Sequence, residues 1–442
     1  MGNRETGKTW RMKTKMLGVG LWLALIFPLP LFPSSPVPRG LNDAAPISTA
    51  TREGRLAVFD DAWARINDRY YDETFHGLDW DAQRTTFRTL AGDADSSEEL
   101  YAVLRRMIAR LNDPHTRVFA PEEKYDWWRP RFVSVGFAIA EVGGLPTVVK
   151  VDQDSAPQRL GLRPGDVIET INRESAMALV QRRLAGLSSE RGASARFRVF
   201  AKLLDGPADS AVEIAWRKKD GKRQTARFTR YWQQRELGLR VRRERGGFAV
   251  IEIDGFTKPI AATFVRALRD NIGDLRGLII DLRSNGGGDA EAMSDVASSF
   301  LGIGSSLGQF TDRAGSSFTI FTHYKSLLTP ELPANTKLPL VLLTSERTAS
   351  AAEIFAEALR TSKRATIIGT ETCGCVLAVR TRHVLPDGGL LDVSELDYQT
   401  PSGAHLEGNG IKPDETVTIE RSDLYSRRDP ALLRAIDKLR SR

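Results

Sequence analysis

The spacing of hydrophobic positions along this chain changes three times. Between residues 49 and 130 they recur three and four apart: Phe59, Trp63, Ile66 and Tyr70 make one stripe, and Leu100, Leu104, Met107, Ile108 and Leu111 another. This spacing predicts amphipathic helices, each with one buried face. Ser96 with Glu99 is a capping box that starts the second helix, and Pro114 stops it. His115 is thereby delivered on a turn, within the run L-N-D-P-H-T.

From 131 to 232 the pattern turns to short β-like segments: Val133–Ala140, Thr147–Val151, Asp166–Ile171 and Val212–Trp216, with a short amphipathic helix near Ala178–Ala185. With S-A-P-Q-R-L-G-L-R-P-G-D-V-I at Ser155–Ile168, the region resembles a PDZ domain. That resemblance implies a groove where an extended chain end adds a strand and its carboxylate meets backbone N–H groups near Gly136 and Phe137. A small β-domain without a ligand is the plainer alternative, since strand edges are usually covered.

From 233 to 442 strands alternate with helices in the α/β manner. Candidate strands are Phe248–Ile253, Leu278–Leu282, Leu338–Leu343 and Thr366–Gly369, and candidate helices Ala261–Asn271, Ala290–Phe300 and Ala351–Leu359. Turn-rich β-structure follows Thr381. The stretch 303–337 is poor in periodicity and reads as a flap. Residues 1–48 stand apart: a basic stretch ending at Lys15, an apolar run over 16–32 broken by Pro28 and Pro30, then a Pro/Ser-rich linker. This is the pattern of an export signal, or of an N-terminal membrane anchor if it is retained. The part of the chain that follows is then extracytoplasmic.

The formal charge of +7 changes meaning once it is located. Residues 1–40 carry six basic side chains against Glu5, a net of +5, which leaves +2 for the rest. A nucleic-acid partner therefore loses its support. Cys373 and Cys375, the only cysteines, are compatible with a small disulfide or with two thiols. A lone C-x-C is too little for a structural zinc site.

Two runs carry chemistry. D-L-R-S-N-G-G-G-D (Asp281–Asp289) follows an apolar strand and supplies consecutive N–H groups with no side chains in the way, as an oxyanion site requires. T-A-S-A-A-E (Thr348–Glu353) sets Ser350 at a strand-to-helix turn. Ser350 and Glu353 also spell a capping box, so the serine has a purely structural explanation. As a nucleophile it needs a base. His115 is favoured because a helix stop fixes its backbone, with His405 and His383 as fallbacks. Glu407, in H-L-E-G-N-G-I-K-P-D, offers a carboxylate to orient an imidazole.

Taken in order, these signatures resemble the C-terminal processing peptidase and tricorn protease family of serine peptidases, from about Arg55 to the end. The resemblance implies a ClpP/crotonase-like αβ spiral core with a helical N-terminal region and an inserted PDZ-like domain. It implies Ser350 as nucleophile, and N–H groups of Gly287 or Gly288 and of Ala351 as oxyanion donors. One branch of the family pairs its serine with a lysine 25 residues on; that position is Cys375 here, and the glutamine four further on is Val379. The tricorn branch uses histidine and glutamate, matched by His115 and Glu407, while the serine preceding its histidine is matched by Pro114. The expectation is a peptidase needing no metal or organic cofactor, acting on extracytoplasmic polypeptides recognised by their C-termini. The alternatives are Cys375 as nucleophile, or an inactive relative serving as a PDZ-mediated peptide-binding or envelope adaptor.

Overall fold

Four strands of the C-terminal half are apolar at almost every position because both faces of their sheet are covered. The computed structural model describes residues 46–441 except 124–125, 127–128, 186–192, 272–274 and 323–337; the leader, His323 and the end of the expected flap lie outside them. The sheet runs Leu239–Glu244, Phe248–Ile253, Gly277–Asp281, Leu340–Thr344, Thr366–Gly369 and Glu415–Thr416, antiparallel at the first pairing and parallel thereafter. Ile251, Ile280 and Leu342 face helices Lys258–Asn271, Ala290–Ala297 and Ala351–Thr361, where Phe264, Phe300 and Phe355 pack edge to face. Their alternates Val250, Ile279 and Val341 face helix Pro430–Arg440. This two-faced burial produces the unbroken apolar runs of a parallel sheet. Truncating one of the buried phenylalanines costs about 3–5 kcal/mol in such a core.

The N-terminal region is helical, with Arg52–Arg69, Trp80–Gly92 and Ser97–Ile108. Ser96 caps the last of these by accepting from Glu99 N–H at 3.1 Å, as its sequence predicts. The hydrophobic cluster of these helices extends to Leu385, Leu391 and Val393. The reason is a small sheet in which Arg117–Phe119 pairs with Leu390–Asp392, which pairs with Arg382–Val384. The turn at His115 is thus drawn to the C-terminal half.

Between them, Phe137–Val142, Leu145–Val151, Val167–Ile171, Ala211–Arg217 and Arg223–Thr229 form an antiparallel sheet in that order. Phe137, Val148, Ile168, Ile214, Trp216 and Phe228 build a separate core with helices Ala176–Ala185 and Ala193–Ala201. Phe137–Val142 lies at the sheet's edge. The described part of the 303–337 stretch has regular structure despite its weak periodicity. It holds an antiparallel hairpin, Ser306–Asp312 with Ser317–Phe321, whose register shift between Ser306 and Gln309 breaks the alternation a reader would look for.

Candidate active site

Strands Gly277–Asp281 and Leu340–Thr344 are neighbours, and both chemical runs leave their carboxyl ends, where parallel sheets hold their sites. The turns are stitched together: Ser345 Oγ donates to Arg283 O at 2.7 Å, Thr348 Oγ1 to Leu282 O at 2.9 Å, and Ala349 N–H to Asn285 O at 3.1 Å. Ser350 follows at φ 56°, ψ −127°, a left-handed conformation that costs a non-glycine residue about 1–3 kcal/mol. Helix Ala351–Thr361 begins at the next residue. Glu353, fully buried, accepts hydrogen bonds from Ser350 N–H (3.0 Å), Thr372 Oγ1 (2.5 Å), Gly374 N–H (2.8 Å) and Cys375 N–H (2.9 Å). Burial raises its pKa, against those four donors. The Ser–Glu pair therefore does cap the helix, but it does so through the serine's backbone, with Glu353 N–H going to Ser350 O at 2.8 Å.

Gly287 packs directly against the serine. A Cβ there would lie 2.7 Å from Ser350 Cβ and 2.9 Å from Ala349 O, so only glycine fits. Its φ of +99° demands the same. Its N–H, expected as an oxyanion donor, is instead directed to Asn285 Oδ1 at 2.8 Å. Among the described residues neither Gly288 N–H nor Ala351 N–H meets an acceptor. Asn285 is itself fully buried, with Nδ2 unpartnered among the described residues. It shapes the loop from within, a role that the sequence hides behind its three glycines.

His115 sits on the turn before Arg117–Phe119. Burial draws its imidazole down to about 4; the charge of Asp113 opposes that, and Arg117 and Arg198 reinforce it. Glu407 lies in the C-terminal loop, where Val376 N–H (2.6 Å) and Leu377 N–H (3.1 Å) donate to its Oε2. Burial pushes this carboxyl up to about 8, and the charges of Asp113 and Glu353 add to the rise. Among the described residues no hydrogen bond joins the His115 ring to Ser350 or to Glu407. Arg198, from helix Ala193–Ala201, connects these groups. Its Nη1 lies 3.7 Å from Cys375 Sγ and 4.0 Å from Cys373 Sγ, and burial lowers its pKa against the opposing charges of Glu407 and Asp113. The inserted β-rich region thus reaches the site, a contact 175 residues long that no local pattern announces.

The remaining candidates are occupied elsewhere. His383 is buried against Glu395 at 2.9 Å, and His405 pairs with Asp397 at 3.2 Å. Cys373 and Cys375 form a disulfide, so Cys375 offers no free thiol. Gly136 N–H donates to Ser134 Oγ at 2.9 Å, and Phe137 points inward against Phe228. In this state the expected carboxylate donor is therefore taken.

A family profile described as Peptidase family S41 matches residues 247–417, and one described as Tricorn protease C1 domain matches residues 52–109. The chain is similar to the carboxyl-terminal-processing protease of Picosynechococcus sp., with 30% identity over 370 residues, 81% of this chain and 82% of that one. It is also similar to carboxyl-terminal-processing peptidase 2, chloroplastic, of Arabidopsis thaliana, with 28% identity over 397 residues, 85% and 71% of the two chains. Two solved structures share the fold. Mature CPAF matches at TM-score 0.66 and 13% identity over 85% of this chain and 95% of that one. The photosystem II D1 C-terminal processing protease matches at TM-score 0.50 and 24% identity over 83% and 93%.

Proposed function

The chain belongs to peptidase family S41, alongside the carboxyl-terminal-processing proteases, and from that premise we propose that Ser350 is its nucleophile and His115 its general base. It is a serine-type peptidase. In the proposed reaction His115 takes the proton of the Ser350 hydroxyl as Oγ attacks a peptide carbonyl. Gly288 and Ala351 N–H groups receive the resulting oxyanion, helped by the helix N-terminus. The imidazolium then returns its proton to the leaving amine, and water releases the acyl group from Ser350 by the same steps in reverse. Glu407 completes the set as the buried carboxyl of the C-terminal loop. The His115–Ser350 hydrogen bond forms on substrate binding, as catalytic contacts often tighten only in the complex.

The observation that carries this reading is the serine's strained φ of 56° directly against Gly287, on a turn that leaves the end of a parallel strand. The same reading takes 49–130 as the helical region, 131–232 as a PDZ-like domain and 233–442 as the peptidase core. The edge strand Phe137–Val142 would receive polypeptide C-termini. An extracytoplasmic setting is supported by the leader over 16–32 and by the Cys373–Cys375 disulfide.

Incubation with denatured casein, with Ser350→Ala as control, tests the reading. Cleavage by the wild type that Ser350→Ala abolishes is expected. Binding of casein C-terminal peptides without any cleavage would favour the adaptor instead.

A further inference from the structure

We propose that Asp113 is the positioning carboxylate of the His115 imidazole, a role the sequence assigns to Glu407. The proposal rests on the reading of His115 as base. Asp113 is buried, its side chain only 2% exposed. Four donors hold it: His115 N–H at 2.8 Å to Oδ1, and Thr116 N–H (3.1 Å), Thr116 Oγ1 (2.5 Å) and Ser394 Oγ (2.5 Å) to Oδ2. Such a donor set fixes the carboxylate in one orientation.

Oδ1, with a single hydrogen-bond partner among the described residues, keeps a lone pair for another. His115 Nδ1 lies 3.8 Å from it, buried and without a hydrogen-bond partner among the described residues. A small rotation of the ring closes that gap and gives the buried Nδ1 the partner it lacks. With Nδ1–H given to Asp113, Nε2 is the unprotonated nitrogen, which is the tautomer a base facing a serine hydroxyl requires. Among the described residues Glu407 makes no hydrogen bond to the ring; its Oε2 accepts from Val376 and Leu377 N–H.

The other charges around the ring do not compete for this role. Asp392 faces it from strand Leu390–Asp392, but it is bridged by Arg382 at 2.8 Å and Arg117 at 3.4 Å. Arg198 and Arg117 oppose protonation of the imidazole. Asp113 is therefore the negative charge available when imidazolium forms.

The test uses the full chain labelled with 15N-histidine, read by NMR for the tautomer of residue 115 and by casein turnover across pH. Wild type should show Nδ1–H. Asp113→Asn should lose that preference, lower kcat on the order of 10²–10⁴ with little change in KM, and move the acid limb of the pH profile further down. Glu407→Gln, which leaves the 113–116 turn untouched, should keep the wild-type tautomer. A tautomer unchanged by Asp113→Asn, or switched by Glu407→Gln, would overturn the proposal; the second result does so even if Asp113→Asn fails to fold. If His115→Ala abolishes turnover while Asp113→Asn does not reduce it, only the role of Asp113 falls. If His115→Ala leaves turnover intact, the base itself is wrong.

Discussion

Ser350 N–H donates to the carbonyl oxygen of Cys375 at 2.8 Å. The position where one branch of the family carries its lysine is thus in contact with the serine, as the 25-residue count implies, yet what it presents here is a backbone oxygen and a disulfide-bonded sulfur. No amine stands at that position to take the proton.

Because this contact is made by the main chain, the side chain at 375 is dispensable. Turnover by the Cys373→Ser/Cys375→Ser double variant should stay within about tenfold of wild type, since a disulfide that closes so short a loop contributes little. Loss of activity approaching that of Ser350→Ala would return Cys375 to candidacy.

Gly287→Ala tests the packing of the glycine loop. Its Cβ would meet Ser350 Cβ and the Ala349 carbonyl, both part of a turn held from two sides. The serine must shift, so casein turnover should fall by about two orders of magnitude or more, as when an oxyanion donor is displaced. Near-wild-type turnover would show that the loop yields freely.

Much of this was legible beforehand, for identifiable reasons. Phe248–Ile253 and Thr366–Gly369 are mostly apolar runs, and they are strands with those same limits. Ser350 and Glu353 were readable as a cap because local hydrogen bonds follow sequence spacing. Asp113, Asn285 and Arg198 were not readable. Asp113 lies within a quoted motif, but its importance comes from Ser394, 281 residues away. Asn285 matters through an amide turned inward under a glycine loop, and Arg198 through contact with a separate core. Long-range pairing of this kind leaves no period in the chain.

The carboxyl of Glu407 gives a signature in stability. Its pKa is about 8 when folded and near the ordinary carboxylate value of about 4.3 when unfolded. Between those values the folded state holds the extra proton, so its contribution is complete below about pH 4.3 and is lost as pH rises through 8. Urea denaturation of the wild type should therefore weaken across this window, with a slope of at most about 1.4 kcal/mol per pH unit from this group. Glu407→Gln should flatten that slope; an unchanged slope would assign it to other groups.

His115 has the opposite shift. With its pKa drawn from 6.5 to about 4 by burial, the imidazole stays neutral, and able to accept a proton, well below the usual range. The acid limb of kcat/KM should fall below about pH 5, provided the fold persists there by circular dichroism. A limb centred near 6.5 would mean that the base is a solvated histidine.

The central claim is that Ser350 is activated by His115. It is tested most directly by fluorophosphonate labelling of the full chain, with the modified residue mapped by mass spectrometry and the rate compared with that of His115→Ala. The account predicts an adduct on Ser350 in the wild type, none in Ser350→Ala, and labelling slowed by about two orders of magnitude or more in His115→Ala. Labelling that persists in Ser350→Ala, or proceeds at the wild-type rate without the imidazole, would contradict it.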